Sequence, residues 1–254
     1  MRSIIKTNSE INILRDGGLI ASEIFSYLKR EIVEGNDSYS LDKYAEFLLK
    51  KYKVQSAFKG YQGYRFNICA NLNEVIVHGI PNKTKFKSGD IFGLDFGIIY
   101  RGYYVDMSAT IEIGEVRPEV HDFVQKTLQS MNQGVSAAIS SNTIGDITNA
   151  MRENLVSEKF QLMKDFVGHG IGKHLHEVPE IPGDGVSPQH DLKIAPGMVF
   201  AIEAISVFGP TNDYQILDDG WTVVTEDMKY LSALFEVTVL VNQDGPEILT
   251  PLYL

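Results

Sequence analysis

IFGLDFGIIYRGYYVDMSATIEI (residues 91–113) places two aspartates, Asp95 and Asp106, within a run that otherwise has the composition of β-strands. The β-branched and aromatic residues on both sides of residues 100–102 predict a hairpin with a loop of about four residues. In that register Asp95 faces Asp106 at about 4.5–5.5 Å, where two negative charges repel by about 3–4 kcal/mol. The hairpin therefore indicates a positive group between the two carboxylates, unless both lie at a solvated strand edge.

The composition is that of an ordinary globular protein with an acidic balance of charge. The 254 residues are 44% apolar, enough for one substantial core, and a single α/β or α+β domain is at least as likely as two. There are 23 Lys and Arg against 33 Asp and Glu, a net charge of −10. That sign disfavours nucleic acid or an anionic membrane as the main partner.

Cysteine usage and the apolar runs point to a reducing compartment. Cys69 is the single cysteine and cannot form an intrachain disulfide. The N-terminal residues lack an apolar signal-peptide core, and the longest apolar run, residues 198–208, is too short to span a bilayer. We therefore expect a cytoplasmic protein with no membrane partner.

Two amphipathic helices are predicted in the first half of the chain. Thr7 and Glu10 form a capping box that starts a helix ending near Gly35. Ser40 is predicted to cap a second helix over residues 41–52. The short strands predicted after these helices are residues 67–70 and 74–78.

The same order of elements recurs in the second half. Helical spacing returns at Pro118, and a second capped helix is predicted from Thr143, with an aspartate three residues on. Helix, helix, then antiparallel strands thus occurs in residues of about 8–113 and again in about 118–241. Two similar halves sharing one sheet are expected, and no linker separates them, so we predict one domain over residues 1–254.

Three further candidate metal ligands lie in the second half: His169, Glu203 and Glu236. Both glutamates fall within apolar runs typical of buried strands, where an unpaired carboxylate is costly. Taken singly, each glutamate could face solvent, and His169 could be an ordinary loop histidine. Together with the two aspartates, however, they form an oxygen-rich set suited to two divalent cations. Such a set suits Mn²⁺, Fe²⁺ or Co²⁺ as well as Zn²⁺, so the metal stays open.

Longer segments, in the same order along the chain, resemble one protein family. The chain is similar to the type I methionine aminopeptidases of peptidase family M24, from about residue 8 to residue 250. The segments that carry the resemblance are GYRFNICANLNEVIVHGIP, SGDIFGLDFGIIYRGYYVDMSAT, GHGIGKHLHEVP, APGMVFAIEAI and DDGWTVVTED. The resemblance implies an α+β pita-bread fold, in which two pseudo-symmetric halves, each with two helices, pack on a shared, curved antiparallel sheet.

The resemblance also implies a dinuclear metal centre. Asp106 and Glu236 would bridge two divalent ions, which could be Co, Mn, Fe, Zn or Ni. Asp95 would complete one metal site, and His169 with Glu203 would complete the other. Two cations in this arrangement would activate a water molecule and stabilise the charge on the scissile carbonyl.

Catalytic groups are carried over from matching motifs. Glu203 would also carry a proton from water to the leaving amine. His78 in VIVHGIP and His176 in KHLHEVP match family histidines that contact the substrate amide and the tetrahedral intermediate. Each histidine taken alone would more simply be structural.

The substrate pocket is the part where this chain departs from the family. The matching positions are Tyr61, Tyr64, Cys69, His78 and Trp221, which would surround a methionine side chain. The departures are Leu175 where an aromatic residue is frequent, Phe58 in place of a smaller residue, and Leu234 and Val237 near Glu236 where polar residues are common. They affect the expected pocket shape and rate but leave the metal ligands unchanged.

The expected activity is removal of N-terminal methionine from peptides and nascent proteins, with a small second residue preferred. The chain is expected to be a monomer, and proximity to the ribosome follows only by analogy with the family. One alternative is a related pita-bread metallopeptidase that cleaves before proline, although the N-terminal domain of such enzymes is not expected here. The other alternative is a catalytically silent relative that binds peptides.

Overall fold

The structure is a computed structural model that describes residues 4–155, 157 and 159–253, so the ends of the predicted 1–254 domain lie outside the described residues. Its helices are α1 (Asn8–Arg30), α2 (Ser38–Tyr52), α3 (Pro118–Ala137) and α4 (Ile144–Leu155). The strands of the first half are β1 (Gln55–Ser56), β2 (Cys69–Leu72), β3 (Val75–Val77), β4 (Ile91–Tyr100) and β5 (Tyr103–Glu112). Those of the second half are β6 (Phe160–Leu162), β7 (Val167–Gly170), β8 (Glu177–Pro182), β9 (Val199–Phe208), β10 (Tyr214–Ile216), β11 (Val223–Thr225), β12 (Leu231–Asn242) and β13 (Gly245–Ile248).

The hairpin of β4 and β5 is confirmed, but its predicted loop length and register are wrong. The loop contains two residues, Arg101 and Gly102, and both have positive φ, +50° and +80°. Positive φ at both central positions gives a tight turn whose twist matches that of the strands. Asp95 consequently pairs with Ser108, and Asp106 pairs with a glycine. The two aspartates still share one face of the sheet, displaced diagonally by two residues.

One large sheet joins the two halves. Its strand order is β1-β4-β5-β12-β9-β7-β8, with β2 paired to β4, β6 to β9 and β13 to β12. The β5–β12 pair is antiparallel and forms the junction between the halves. Helix α1 packs on β4 and β5, and α3 packs on β9 and β12, so each half repeats the same layers. The predicted α+β arrangement of two halves on a shared sheet is therefore confirmed.

The core lies where the helices cover the sheet. On β4, Leu94 and Phe96 are fully buried and alternate with Asp95 and Gly97, which face the other side. Other members of this core are Leu14, Ile24, Leu28, Phe92, Phe123, Phe200 and Phe235. In the part of the chain that the structure describes, no helix has the length and apolar character that a membrane span requires.

The predicted helix starts are correct for three helices and wrong for α2. The Thr7–Glu10 capping box begins α1, which ends at Arg30 rather than near Gly35. Helix α3 begins at Pro118, and α4 follows Thr143. The predicted short strands lie at 69–72 and 75–77, close to the expected positions.

Asp37, and not Ser40, caps α2. The Ser40 amide donates to Asp37 Oδ1 at 2.7 Å, so the helix begins at Ser38. Lys85 Nζ lies 2.6 Å from the other carboxylate oxygen of Asp37 and fixes its orientation. Asp37 and Ser40 are both residue types that cap helices, so the local pattern did not decide between them, and the pair with Lys85, distant in sequence, was not predicted.

We expect Asp37→Ala to destabilise the protein by about 1 kcal/mol through loss of the cap, and Asp37→Asn, which can still cap, by less. Lys85 and the Ser40 amide lower the pKa of Asp37 to about 2, whereas the pKa of an aspartate in an unfolded chain is about 3.9. A carboxyl group whose pKa is lower in the folded chain than in the unfolded chain stabilises the fold at pH values above its unfolded pKa. The difference between wild type and Asp37→Asn should therefore hold at neutral pH and shrink as the pH falls from about 4 towards 2.

Urea unfolding across this pH range measures the effect. Asp122→Asn is the control, because Asp122 forms an exposed i,i+4 pair with Lys126 at 2.9 Å that contributes little. Equal stability of wild type and Asp37→Ala at neutral pH would contradict the assignment of the cap.

Candidate metal centre

Three of the predicted ligand positions lie side by side because of strand register. Glu203 on β9 pairs with Glu236 on β12, Glu236 pairs with Ser108 on β5, and Ser108 pairs with Asp95 on β4. The first row, as we call it, is Asp95, Ser108, Glu236 and Glu203. It places three carboxylates on one face across four neighbouring strands.

A second row lies two residues further along β5, β12 and β9 and continues onto β7. It contains Asp106, Thr238, Ala201 and His169: Thr238 pairs with Ala201, and Ala201 pairs with His169 on β7. Side chains repeat with a period of two along a strand, so both rows point to the same side of the sheet. Ligand atoms of Asp106, His169 and Glu236 all lie within 4.8 Å of one another.

The five candidate ligands line a single cavity of about 320 Å³. Among the described residues, no Lys or Arg lines this cavity, and Asp95 Oδ1 has no hydrogen-bond partner. Asp106 is 4% exposed and its hairpin lies inside the sheet, so the alternative that both aspartates lie at a solvated strand edge is wrong. Glu236 is also 4% exposed, so it does not face solvent. An orphaned carboxylate oxygen in an anionic, cation-free cavity fits a divalent metal site.

Burial changes the protonation of these carboxyl groups in the metal-free chain. It raises the pKa of Asp106 to about 7 and that of Glu203 to about 8, and Asp106 adds to the effect on Glu203. Burial, with repulsion from neighbouring carboxylates, also raises the pKa values of Asp95 and Glu236 well above their ordinary range. These carboxyl groups therefore hold protons at neutral pH that a cation would displace.

His169 lies on a strand, not on a loop, and its orientation suits a metal ligand. Its Nδ1 lies 3.0 Å from the Gly170 carbonyl oxygen, which can only accept, so Nδ1 carries the proton and Nε2 is left as the ligand atom. Burial and then His176 lower the pKa of His169 to about 3, which keeps the ring neutral. A Cβ at Gly168 or Gly170 would lie 2.6 or 2.2 Å from a neighbouring backbone oxygen, so glycine is needed on both sides.

Asp106 is supported by residues that sequence reasoning missed. Its amide donates to Thr238 Oγ1 at 2.9 Å, and that hydroxyl donates back to the Asp106 carbonyl at 2.8 Å. The Met107 amide donates to Asp106 Oδ1 at 3.0 Å. A Cβ at Gly97 would lie 3.0 Å from the same oxygen. The one sequence signal for this support was Thr238, a polar residue within the apolar segment of β12.

Two histidines stand beside the carboxylates. His176 contacts His169 with 4.4 Å between ring centroids, and its Nδ1 lies 2.7 Å from the Tyr61 hydroxyl. His78 has φ of +58° and packs edge-on against Trp221. Burial lowers the pKa of both His78, to about 4, and His176, so both rings are neutral at physiological pH. The Tyr61–His176 hydrogen bond was not predicted.

The rest of the cavity is largely apolar and aromatic. Tyr64 packs edge-on against Trp221 with 5.0 Å between centroids, and its hydroxyl lies within 3.0 Å of two backbone carbonyl oxygens. Cys69 pairs with Asp95, and burial raises the pKa of its thiol, which stays protonated. Lining residues absent from the prediction are Gln62, Val77, Asp165, Phe166, Val167 and Ile205.

Three of the four positions that depart from the family pattern line the cavity: Phe58, Leu175 and Leu234. Val237 does not line it, because it follows Glu236 directly on β12 and so faces the opposite side. Leu234 lies two residues before Glu236 and shares its face. The expectation that Val237 shapes the pocket is therefore wrong.

Comparisons with known proteins agree over almost the whole chain. The model of metallopeptidase family M24 matches residues 12–243. A methionine aminopeptidase of Clostridium perfringens is 37% identical over 97% of this chain and 98% of the relative, and one of Clostridium acetobutylicum is 39% identical over the same shares. A crystal structure of methionine aminopeptidase from Thermotoga maritima superposes with a TM-score of 0.92 at 34% identity, covering 97% of this chain and 98% of that one. The predicted pita-bread fold is confirmed by this match.

We expect divalent metal binding to tighten as the pH rises from about 6 to 8. Since burial raises the pKa values of Asp106 and Glu203 to about 7 and 8, both carry protons at the lower pH and must release them when a cation binds. Calorimetry with Mn²⁺ in two buffers of different ionisation enthalpy counts those protons.

Glu203→Gln is the matched variant, since it keeps the shape and removes one titrating group. It should release fewer protons than wild type at about pH 6.5. Metal affinity that is independent of pH, with no proton release, would contradict the raised pKa values of these carboxyl groups.

Proposed function

The chain belongs to metallopeptidase family M24, and we propose that it removes N-terminal methionine by metal-dependent hydrolysis of the first peptide bond of peptides and nascent proteins. The observation that carries this proposal is its full-length likeness to methionine aminopeptidases, at 37–39% identity over 97% of the chain. The cavity described above supports it, because acidic, histidine and apolar residues meet there.

We infer that two divalent ions are held by the five clustered residues. Asp106 and Glu236 would bridge them, Asp95 would complete one site, and His169 Nε2 with Glu203 would complete the other. The opposed pairing of Glu203 and Glu236 on adjacent strands supports the shared arrangement. When bound, such ions lower the pKa of water and polarise a carbonyl group.

Glu203 moves the proton in this proposal. Its carboxylate takes a proton from the attacking water and passes it to the amine that leaves when the peptide bond breaks. Glu203 is partly accessible whereas Glu236 is buried, which supports Glu203 rather than Glu236 as the glutamate that meets a substrate. One glutamate then acts both as a metal ligand and as an acid–base group.

His176 and His78 orient the peptide bond. The Tyr61 hydroxyl lies 2.7 Å from His176 Nδ1. In this proposal the hydroxyl donates to Nδ1, which places the imidazole proton on Nε2. His176 Nε2–H can then donate to the oxygen on which negative charge develops. His78, held against Trp221, contacts the amide of the same bond.

The aromatic part of the cavity takes the methionine side chain. Tyr64 and Trp221 provide ring edges and faces that suit a flexible thioether. Phe58, Leu175 and Leu234 add apolar walls that distinguish this pocket in detail from the family pattern. A second residue with a long side chain would meet the rim, so substrates with a small second residue are preferred.

We expect chelator-stripped protein to release free methionine from Met-Ala-Ser only after Mn²⁺, Co²⁺ or Fe²⁺ is added. Met-Lys-Ser should be cleaved at least tenfold more slowly because its second side chain collides with the rim. A peptide with proline at its second position tests the alternative specificity.

Two outcomes would redirect the proposal. Metal uptake without methionine release from Met-Ala-Ser would favour a different substrate, chosen by the altered pocket. Failure to bind metal at all would favour a silent peptide-binding relative.

Glu203→Gln should lower kcat by about 10²–10⁴ because the proton carrier is lost. Glu180→Gln is the matched control: Glu180 lies on β8 opposite His169, but its side chain is exposed and outside the cavity lining. Steady-state kinetics at saturating metal compare the two. Retained activity in Glu203→Gln, with metal still bound, would contradict its role in proton transfer.

A further inference from the structure

An ion pair behind the cavity joins two segments that are far apart in sequence. Lys6 Nζ lies 2.5 Å from Glu177 Oε2, and the two side chains are only 7% and 16% exposed. Lys6 lies just before α1, and Glu177 follows His176 directly. A nearly buried ion pair is costly to disrupt, because removing one partner leaves an uncompensated charge.

The loop that presents His176 is folded around the Glu177 carboxylate. Glu177 Oε1 accepts from the His174 amide at 3.0 Å, while Oε2 meets Lys6. Gly172 and His174 are joined by a backbone hydrogen bond of 3.2 Å. The loop therefore depends on a carboxylate whose orientation is set from outside the loop.

Lys6 fits into the loop as well as pairing with it. A Cβ at Gly172 would lie 2.7 Å from Lys6 Cε and 2.8 Å from Lys6 Nζ, so the glycine leaves room for the ammonium group. The Gly172 carbonyl accepts from the Tyr104 amide at 2.7 Å and so attaches the loop to β5. The Lys6 side chain therefore packs directly against the loop at Gly172.

The backbone of Lys6 is itself fixed to the sheet. Its amide donates to the Gly197 carbonyl at 2.7 Å, and Ile5 pairs with Met198. These contacts lie immediately before β9, the strand that carries Glu203. Lys6 thus connects the start of the Glu203 strand to the residue beside His176.

We propose that Lys6 is a positioning residue that fixes His176 relative to Glu203 through Glu177. This inference rests on the proposed function, in which His176 Nε2–H meets the developing negative charge. Leu175, which precedes His176, is buried, and Glu177, which follows it, is held by the ion pair with Lys6. Without the Lys6 charge, the Glu177 carboxylate seeks solvent, the loop shifts, and the imidazole leaves the position at which it can donate. Displacements of about 1 Å at a reacting centre can cost up to about a hundredfold in rate.

Lys6→Met tests the proposal, because it keeps the length of the side chain and removes the charge. We expect kcat on Met-Ala-Ser to fall roughly tenfold to a hundredfold, with KM and Mn²⁺ affinity within about twofold of wild type. Lys6→Arg should recover most of kcat by restoring the pair. Glu177→Gln should resemble Lys6→Met, and it provides a second variant if Lys6→Met folds poorly.

Arg15→Met is the matched control. Arg15 pairs with Glu247 through two hydrogen bonds of 2.6 and 2.8 Å and also ties the N-terminal part of the chain to a distant strand, but away from the cavity. Thermal unfolding places the variants on one stability scale. A loss of kcat in Arg15→Met equal to that in Lys6→Met would overturn the proposal, as would wild-type kcat in Lys6→Met.

A double-mutant cycle identifies His176 as the group through which Lys6 acts. In a His176→Ala background, Lys6→Met should cause little further loss of kcat, because the positioned ring is already absent. Full additivity of the two losses would overturn the proposal.

A measurement that does not use turnover separates this inference from the proposed function. The ring nitrogen NMR signals of His176 should shift in Lys6→Met but stay as in wild type in Arg15→Met. If wild type releases no methionine while the signals shift in this way, the proposed substrate fails and the positioning holds. Unshifted His176 signals in Lys6→Met would overturn the positioning whatever the activity.

Discussion

Repulsion among clustered carboxylates is the constraint on which the rest of the structure depends. Asp95, Asp106, Glu203 and Glu236 meet in a cavity that no described Lys or Arg lines, and burial raises all four pKa values. Such a group destabilises the folded chain unless protons or cations neutralise it. The surrounding sheet, ten strands fixed by backbone hydrogen bonds, supplies the rigidity that holds the carboxylates together. Binding of a cation by this group would therefore be linked to folding.

The position of each ligand depends on strand pairing more than on local side-chain contacts. Glu203 and Glu236 oppose one another because β9 and β12 pair over ten residues without a bulge. A shift of one residue would turn either glutamate to the other face. The glycines around His169 serve the same end, since they let β7 approach its neighbours closely. The histidines and aromatic residues that complete the cavity come from loops, where smaller adjustments of substrate preference can occur.

Sequence patterns predicted the features that depend on residues close together along the chain. Carboxylates in apolar strands indicated the site, and capping boxes marked the starts of α1 and α4. The register of the central hairpin was missed because the turn is centred on Arg101 and Gly102, one residue later than a pairing of Asp95 with Asp106 requires. Moving the turn centre by one residue keeps the alternation of side chains and shifts each partner by two residues. The support of Asp106 by Thr238, the pairing of Asp37 with Lys85 and the Lys6–Glu177 pair all require a partner distant along the chain. No local pattern contains that information.

The junction between β5 and β12 has a further consequence. Asp95 and Asp106 come from the first half of the chain, whereas His169, Glu203 and Glu236 come from the second, and the two sets meet only where these strands pair. Neither half alone can assemble the centre. The chain can therefore act as a hydrolase only after both halves have folded together. A chain that is still emerging, or one cut between the halves and separated, is inactive.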